Sequence, residues 1–120
     1  MHIDMQAQGF RLTGALREHA ERRLRFALGP AGGRVRRVAV RVADENGPRG
    51  GVDKRCTLRV SLPGHAPVVV EQLDPDLYVA IDRAADRLGR SVARRLARGM
   101  DGRRWGSQRR GDVARENLTR

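Results

Sequence analysis

The chain is poor in the residues that most chemistry needs. Its single cysteine, Cys56, excludes an intrachain disulfide and any zinc cluster built from several thiolates. Cys56 also falls on the apolar side of an alternating segment, where a small buried thiol is the ordinary outcome and nothing nearby marks it as a nucleophile. No stretch approaches the roughly 20 apolar residues of a membrane-spanning helix. The opening MHIDMQAQGF lacks the apolar run of a secretory signal, which makes the cytoplasm the expected compartment. The three histidines, His2, His19 and His65, show no metal-ligand spacing. The glycine-rich stretch 47–51 lacks the Gly-x-x-x-x-Gly-Lys-Ser/Thr spacing of a phosphate-cradling loop, and no helical pattern follows it. Asp74 and Asp76 belong to a helix start, while Asp82 and Asp86 lie a turn apart, so the acids form no general acid/base pair. Nothing here supports an enzyme, a cofactor, a metal or a small-molecule substrate.

Basic charge is what the chain has in excess. Among 120 residues, 25 are Lys or Arg and 14 are Asp or Glu, a formal charge of +11, and the isoelectric point is about 11.6. Lys54 is the only lysine. Arginine presents a planar fork of donors that fits phosphate and stacks on bases. Such a balance points to nucleic acid or another anionic surface. The length allows one modest domain with one core.

Residues His2–Gln8 alternate Ile3, Met5 and Ala7 with polar neighbours, the pattern of a half-buried strand. Thr13 then suits the N-cap of a helix over Gly14–Leu28, whose Leu16, Ala20, Leu24 and Leu28 recur every fourth position. Arg17, Arg22, Arg23 and Arg25 decorate that helix with Glu18 and Glu21 between them, a mixture that also suits a solvated, salt-bridged face. Gly29-Pro30 ends it, and 31–33 reads as a loop. Residues 34–43 alternate around Val38, Val40 and Val42. Residues 44–55 are too rich in Gly, Pro and Asn to be more than a connection, either a simple hairpin link or a contact loop flanked by Arg49, Lys54 and Arg55. Cys56, Leu58, Val60 and Leu62 mark a third strand. Pro63-Gly64-His65 makes a tight turn, and 68–73 forms a fourth strand whose register the run Val68-Val69-Val70 leaves open.

A long helix follows over 74–98, with Asp74 as the expected cap and Pro75 at the first helical position. Leu77, Ile81, Ala84, Ala85, Leu88, Val92 and Leu96 share one face, and Arg83, Arg87, Arg90, Arg94 and Arg98 form a stripe about 140° away. A basic stripe can be no more than a solvated surface. Here the carboxylates stop at Asp86, so in the C-terminal half of the helix, past Arg90, the arginines have no acidic i±4 partners, which favours a polyanion-binding face. Gly89, in mid-helix, costs about 1 kcal/mol relative to alanine and marks a place for close backbone approach. After Arg98 the sequence loses periodicity, and 99–120 reads as a mobile basic tail in which Trp105 is either partnerless or a base-stacking side chain. The expected fold is α+β in the order β-α-β-β-β-α, two helices on one face of a four-stranded, largely antiparallel sheet.

Two strings carry a family resemblance. Thr13-Gly14-Ala15-Leu16-Arg17-Glu18 opens the first helix. Asp76-Leu77-Tyr78-Val79-Ala80-Ile81-Asp82, followed by Arg87, Leu88, Arg90 and Arg94, forms the second. Over residues 1–98 the chain resembles the ribosome hibernation-promoting factors, also called ribosome-associated translation inhibitors or ribosomal subunit interface proteins. The resemblance implies a domain similar to double-stranded-RNA-binding folds. It also implies binding to the small ribosomal subunit at the subunit interface, across the mRNA and tRNA path, as idle ribosomes are silenced under stress or in stationary phase. It carries over Arg23, Arg87, Arg90 and Arg94 as rRNA contacts. Arg83 and Arg98 join them from helical geometry, and Arg22 is included beside Arg23. Long family members have a C-terminal dimerisation domain, whereas 99–120 resembles a short form without one. The 44–55 connection is longer and richer in glycine than is usual in the family. Two other readings stay open: a general RNA-binding module of the same fold, and a protein-interaction regulator of the sigma-factor-modulator type, whose binding would resist nuclease and depend little on salt.

Overall fold

Period-2 alternation in four segments and period-3.6 stripes in two others give one sheet with one helical layer. The computed structural model describes residues 1–45 and 53–105, and the side chains of Pro30 and of 99–105 are left out of that description. Residues 46–52, at the heart of the expected connection, and 106–120 of the expected tail lie outside the described residues. The elements are β1 (His2–Gln8), α1 (Gly14–Leu28), a 3-10 turn (Gly29–Arg34), β2 (Arg37–Asp44), β3 (Lys54–Ser61), β4 (Val68–Asp74) and α2 (Leu77–Trp105). The sheet order is β1-β2-β3-β4. β1 and β2 run parallel, because α1 carries the chain back between them. The other two pairs are antiparallel.

One core joins both layers. Leu16, Ala20, Leu24 and Leu28 of α1 and Ala80, Ile81, Ala84, Ala85, Leu88 and Val92 of α2 pack on Met5, Val38, Val40, Val42, Cys56, Leu58, Val60, Val68 and Val70. Both helices therefore cover the same face of the sheet. The pairing of Leu58 with Val70 and Val60 with Val68 fixes the β4 register that its valine run left open, and Val69 points outward, 48% exposed.

The Thr13 hydroxyl caps α1 as its position predicts, accepting from the Leu16 amide at 3.2 Å. Gly29 closes the helix at φ +45°, its N–H donating to the Arg25 carbonyl, a conformation that favours glycine. The expected loop after it is wound into the 3-10 turn.

The start of α2 differs from the expectation. Asp74 is the last residue of β4, paired with Lys54, so the sheet claims it before the helix can. The cap is Asp76, whose Oδ1 accepts from the amides of Tyr78 at 2.8 Å and Val79 at 3.3 Å. Asp74 Oδ1 accepts from the Asp76 amide at 3.1 Å and shapes the turn around Pro75. The far end differs too, because α2 does not stop at Arg98 but continues to Trp105. No proline stands after Pro75 to break it, and glycine weakens a helix without forbidding it.

Gly89 is the closest approach of the two helices. A Cβ built there would lie 2.5 Å from the Ala27 carbonyl oxygen and 3.1 Å from its carbon. Gly89→Ala is expected to push α1 and α2 apart and lower stability by about 1–3 kcal/mol, the usual range for overpacking, read from a denaturant melt. Burial pushes the Cys56 thiol up to about 12, so native protein at pH 8 is expected to resist iodoacetamide until denaturant is added. The unfolded thiol ionises near 8.5 while the folded one stays neutral. This group's contribution to stability is therefore whole below that pH and declines as pH rises toward 12.

Candidate nucleic-acid interface

The three sides of α2 meet three different surroundings. Its apolar side lies on the sheet. A second side turns toward α1 and carries Asp82, Asp86 and Gly89. Asp82 Oδ1 is hydrogen-bonded to His19 Nε2 at 2.6 Å and lies 3.1 Å from Arg23 Nε, an ion pair. Asp86 Oδ1 receives Arg23 Nη2 at 3.0 Å. The acids thus tie the two helices together. His19 also packs edge-on against Tyr78, ring centroids 4.9 Å apart.

The third side carries the arginine stripe. Arg83, Arg87, Arg90 and Arg94 are exposed and Arg98 is half-buried. Arg83 Nη1 stands 3.7 Å from Asp74 Oδ2, a loose, open pair. Arg87 leans over β4 and donates through Nη1 to the Glu71 carbonyl at 2.7 Å and to Gln72 Oε1 at 3.0 Å. Arg94 Nη2 donates to Ser91 Oγ at 3.3 Å. Arg87, Arg90 and Arg94 have no carboxylate within 4.0 Å among the described residues, so their full charge faces solvent.

The two α1 candidates separate. Arg22 is exposed, without an ion-pair partner among the described residues. Arg23, half-buried, is held between Asp82 and Asp86. Its charge is largely spent inside the protein.

Two residues went unnoticed in the sequence. Arg95 is buried, 3% exposed, and donates through Nη1 to the Ala66 carbonyl at 2.7 Å. Steps of about 100° put it on the apolar side, between Leu88 and Val92 on the one hand and Ala84 on the other, so its position was legible. Phe26 is 78% exposed. It stands off the Leu16-Ala20-Leu24-Leu28 stripe, and that break in pattern was its only signal.

Lys54 is engaged rather than displayed. Its Nζ donates to Asp44 Oδ1 at 3.0 Å and to Asp53 Oδ2 at 2.9 Å. The hydrogen bond from Lys54 holds the buried Asp53 carboxyl below its ordinary value, and those to Asp53 and Asp44 hold the lysine above its own. Arg55 sits 3.3 Å from Glu45 and 3.7 Å from Glu71. The cations flanking the 46–52 stretch are therefore structural ties. Among the described residues no cluster of His, Cys, Asp and Glu could hold a metal ion, and no helix is long and apolar enough to cross a membrane.

The architecture and the α2 motif meet in one family, whose model, described as sigma 54 modulation protein / S30EA ribosomal protein, matches residues 3–99. The chain belongs to this family. It is the hibernation-promoting family that the two helix strings resemble. Among solved structures, a ribosomal subunit interface protein from Coxiella burnetii is similar at a TM-score of 0.70 and 24% identity, over 81% of this chain and 99% of that one, a likeness of fold. The N-terminal domain of Thermus thermophilus Protein Y is similar at a TM-score of 0.62 and 31% identity, over 78% of this chain and 98% of that one. No curated protein matches the chain. The matched span takes in β1 from Ile3 onward, the other three strands, α1 and the whole arginine stripe of α2.

The acids between the helices yield a direct test. Replacing Asp82 and Asp86 together by asparagine removes the partners of His19 and Arg23. Partly exposed pairs of this kind contribute about 0.2–1 kcal/mol each, so the double variant is expected to lose about 1 kcal/mol in low-salt buffer and less in high salt. With Arg23 released and two negative charges gone, its affinity for RNA is expected to rise, measured by filter binding at matched salt.

Proposed function

We propose that this chain is a ribosome-binding translation inhibitor that docks on rRNA through the outward side of α2. The observation that carries the reading is the row Arg87, Arg90 and Arg94, exposed on one rigid helix with no carboxylate within 4.0 Å among the described residues. Guanidinium groups at that spacing meet successive phosphates of a folded RNA. Membership of the S30EA family supports the ribosome as the partner, and the name of the Coxiella burnetii protein, a ribosomal subunit interface protein, agrees with a subunit-interface location.

The mechanism is steric. Arg87, Arg90 and Arg94, with Arg83, Arg98 and Arg22 at the margins, bond rRNA phosphates on the small subunit. The bulk of the domain then fills the path of mRNA and tRNA, so no covalent step is needed and no cofactor. Arg23 acts at one remove in this scheme, because its pairs with Asp82 and Asp86 hold α1 against α2. The action belongs in the cytoplasm, where ribosomes idle under stress or in stationary phase. Residues 1–98 supply the binding domain and 99–120 a basic extension that adds charge.

The triple variant Arg87→Ala, Arg90→Ala, Arg94→Ala tests this. All three side chains are exposed, and substitutions at such positions change stability by less than about 0.5 kcal/mol each. The variant is expected to fold normally and lose most co-sedimentation with ribosomes and small subunits. The slope of log K against log salt is expected to fall by about two units, by the single-strand coefficient. It should also cease to inhibit a cell-free translation system. A folded variant that co-sediments as the parent does would refute the reading. Binding that survives nuclease and ignores salt would favour the protein-interaction role named in the family description.

A further inference from the structure

The reading above leaves Phe26 unexplained. It is the most exposed large hydrophobic side chain among the described residues, at 78%, while Leu16, Leu24 and Leu28 of the same helix are buried. A single exposed apolar residue is ordinary on any protein surface, so exposure alone argues nothing. Its surroundings argue more.

Phe26 stands at the lip of a shallow groove between α1 and α2, lined also by Ala27, Asp86, Gly89, Arg90 and Ala93. Gly89 and the two alanines make the floor flat and apolar. The Asp86 carboxylate is drawn to Arg23 at 3.0 Å, which offsets the one negative charge on the rim. The Arg23 guanidinium carbon lies 5.8 Å from the Phe26 ring centroid, so a cation already borders the ring. Arg90 flanks the groove from α2, and Arg22, one turn before Phe26, flanks the ring on α1. An aromatic ring beside a flat apolar floor, with free guanidinium groups on either side, is the combination that receives a base together with its phosphates.

We infer that Phe26 and the α1–α2 groove take one unpaired nucleobase of the bound RNA, stacked on the ring, with Arg90 and Arg22 on the flanking phosphates. This rests on the proposed rRNA-binding reading and adds to it a contact that is not electrostatic. An uncharged ring releases no counterions, so its contribution leaves the salt slope unchanged. The two kinds of contact can therefore be told apart.

The test uses the full chain and purified ribosomes. Phe26→Ala is expected to weaken ribosome affinity by about 5- to 150-fold, the range that stacking of one base on an aromatic ring spans, with an unchanged salt slope. Phe26→Leu, which keeps an apolar side chain but no ring, is expected to lose nearly as much, and Phe26→Trp to retain binding. With p-benzoylphenylalanine at position 26, irradiation is expected to cross-link the chain to rRNA. Phe26→Leu binding as well as the parent, or a cross-link to a ribosomal protein, would overturn the inference, since an apolar protein contact predicts both. If the triple arginine variant loses the ribosome while Phe26→Ala keeps it, the stacking contact alone fails. If the triple arginine variant also binds as the parent does, the rRNA-binding reading fails first.

Discussion

The close approach of α2 to α1 at Gly89 decides where every charge on α2 points. With no Cβ at Gly89, the helix backbone seats against the Ala27 carbonyl, and that contact fixes its rotation about its own axis. Asp82 and Asp86, seven and three residues earlier on the same side, then face His19 and Arg23. Arg87, Arg90 and Arg94, lying on the side away from the core, are exposed. A larger residue at position 89 would move the helix and redistribute all of these partners together. The basic face is thus a consequence of one backbone contact as much as of its own arginines.

That arrangement also sorts the arginines by how much order they already have. Arg87 is tied to the Glu71 carbonyl and the Gln72 side chain, and Arg94 to Ser91. Holding a long side chain in place costs about 0.5–1.5 kcal/mol on binding, and for these two part of that cost is met in the free protein. Neither tie neutralises the charge, because carbonyl and hydroxyl oxygens are not ionised. Arg23 is the contrary case, ordered and neutralised at once. Preorganised but uncompensated guanidinium groups are the ones best placed to meet phosphate.

Most of the fold was legible because its signals are local. Alternation marked the strands, and Thr13 and Gly29 marked the ends of α1 by their own chemistry. Gly89 was legible as a place of close approach, although its neighbour was not. Competition between levels hid the rest. Asp74 and Asp76 are equivalent caps in sequence, and only the pairing of Asp74 with Lys54 across the sheet decides between them. Aperiodicity after Arg98 suggested an end to the helix, whereas periodicity reports only which side is buried, and a helix that runs on to Trp105 need bury nothing. At the candidate site, the stripe was readable from 100° steps, but the spending of Arg23 on Asp82 and Asp86 was not. Those partners are about 60 residues away in sequence, and no local pattern reports a pairing at that distance.

The opposite face of the molecule bears on orientation. Strand side chains turned away from the helices alternate in sign across the sheet: Arg37 bonds Asp4, and Arg55 lies between Glu45 and Glu71. Such cross-strand pairs neutralise one another locally, although Arg41 and Arg59 are left without a carboxylate among the described residues. The outward side of α2 has no comparable compensation along the run from Arg87 to Arg94, and at about 1.5 Å per residue α2 is a rod of roughly 43 Å. Screening in physiological salt cuts fields off beyond about 8 Å. An approaching polyanion therefore responds to the local sign of each surface rather than to the total of +11. By that measure the sheet presents a mixed surface and α2 a basic one, so the attraction a nearby polyanion feels is strongest on the helix side.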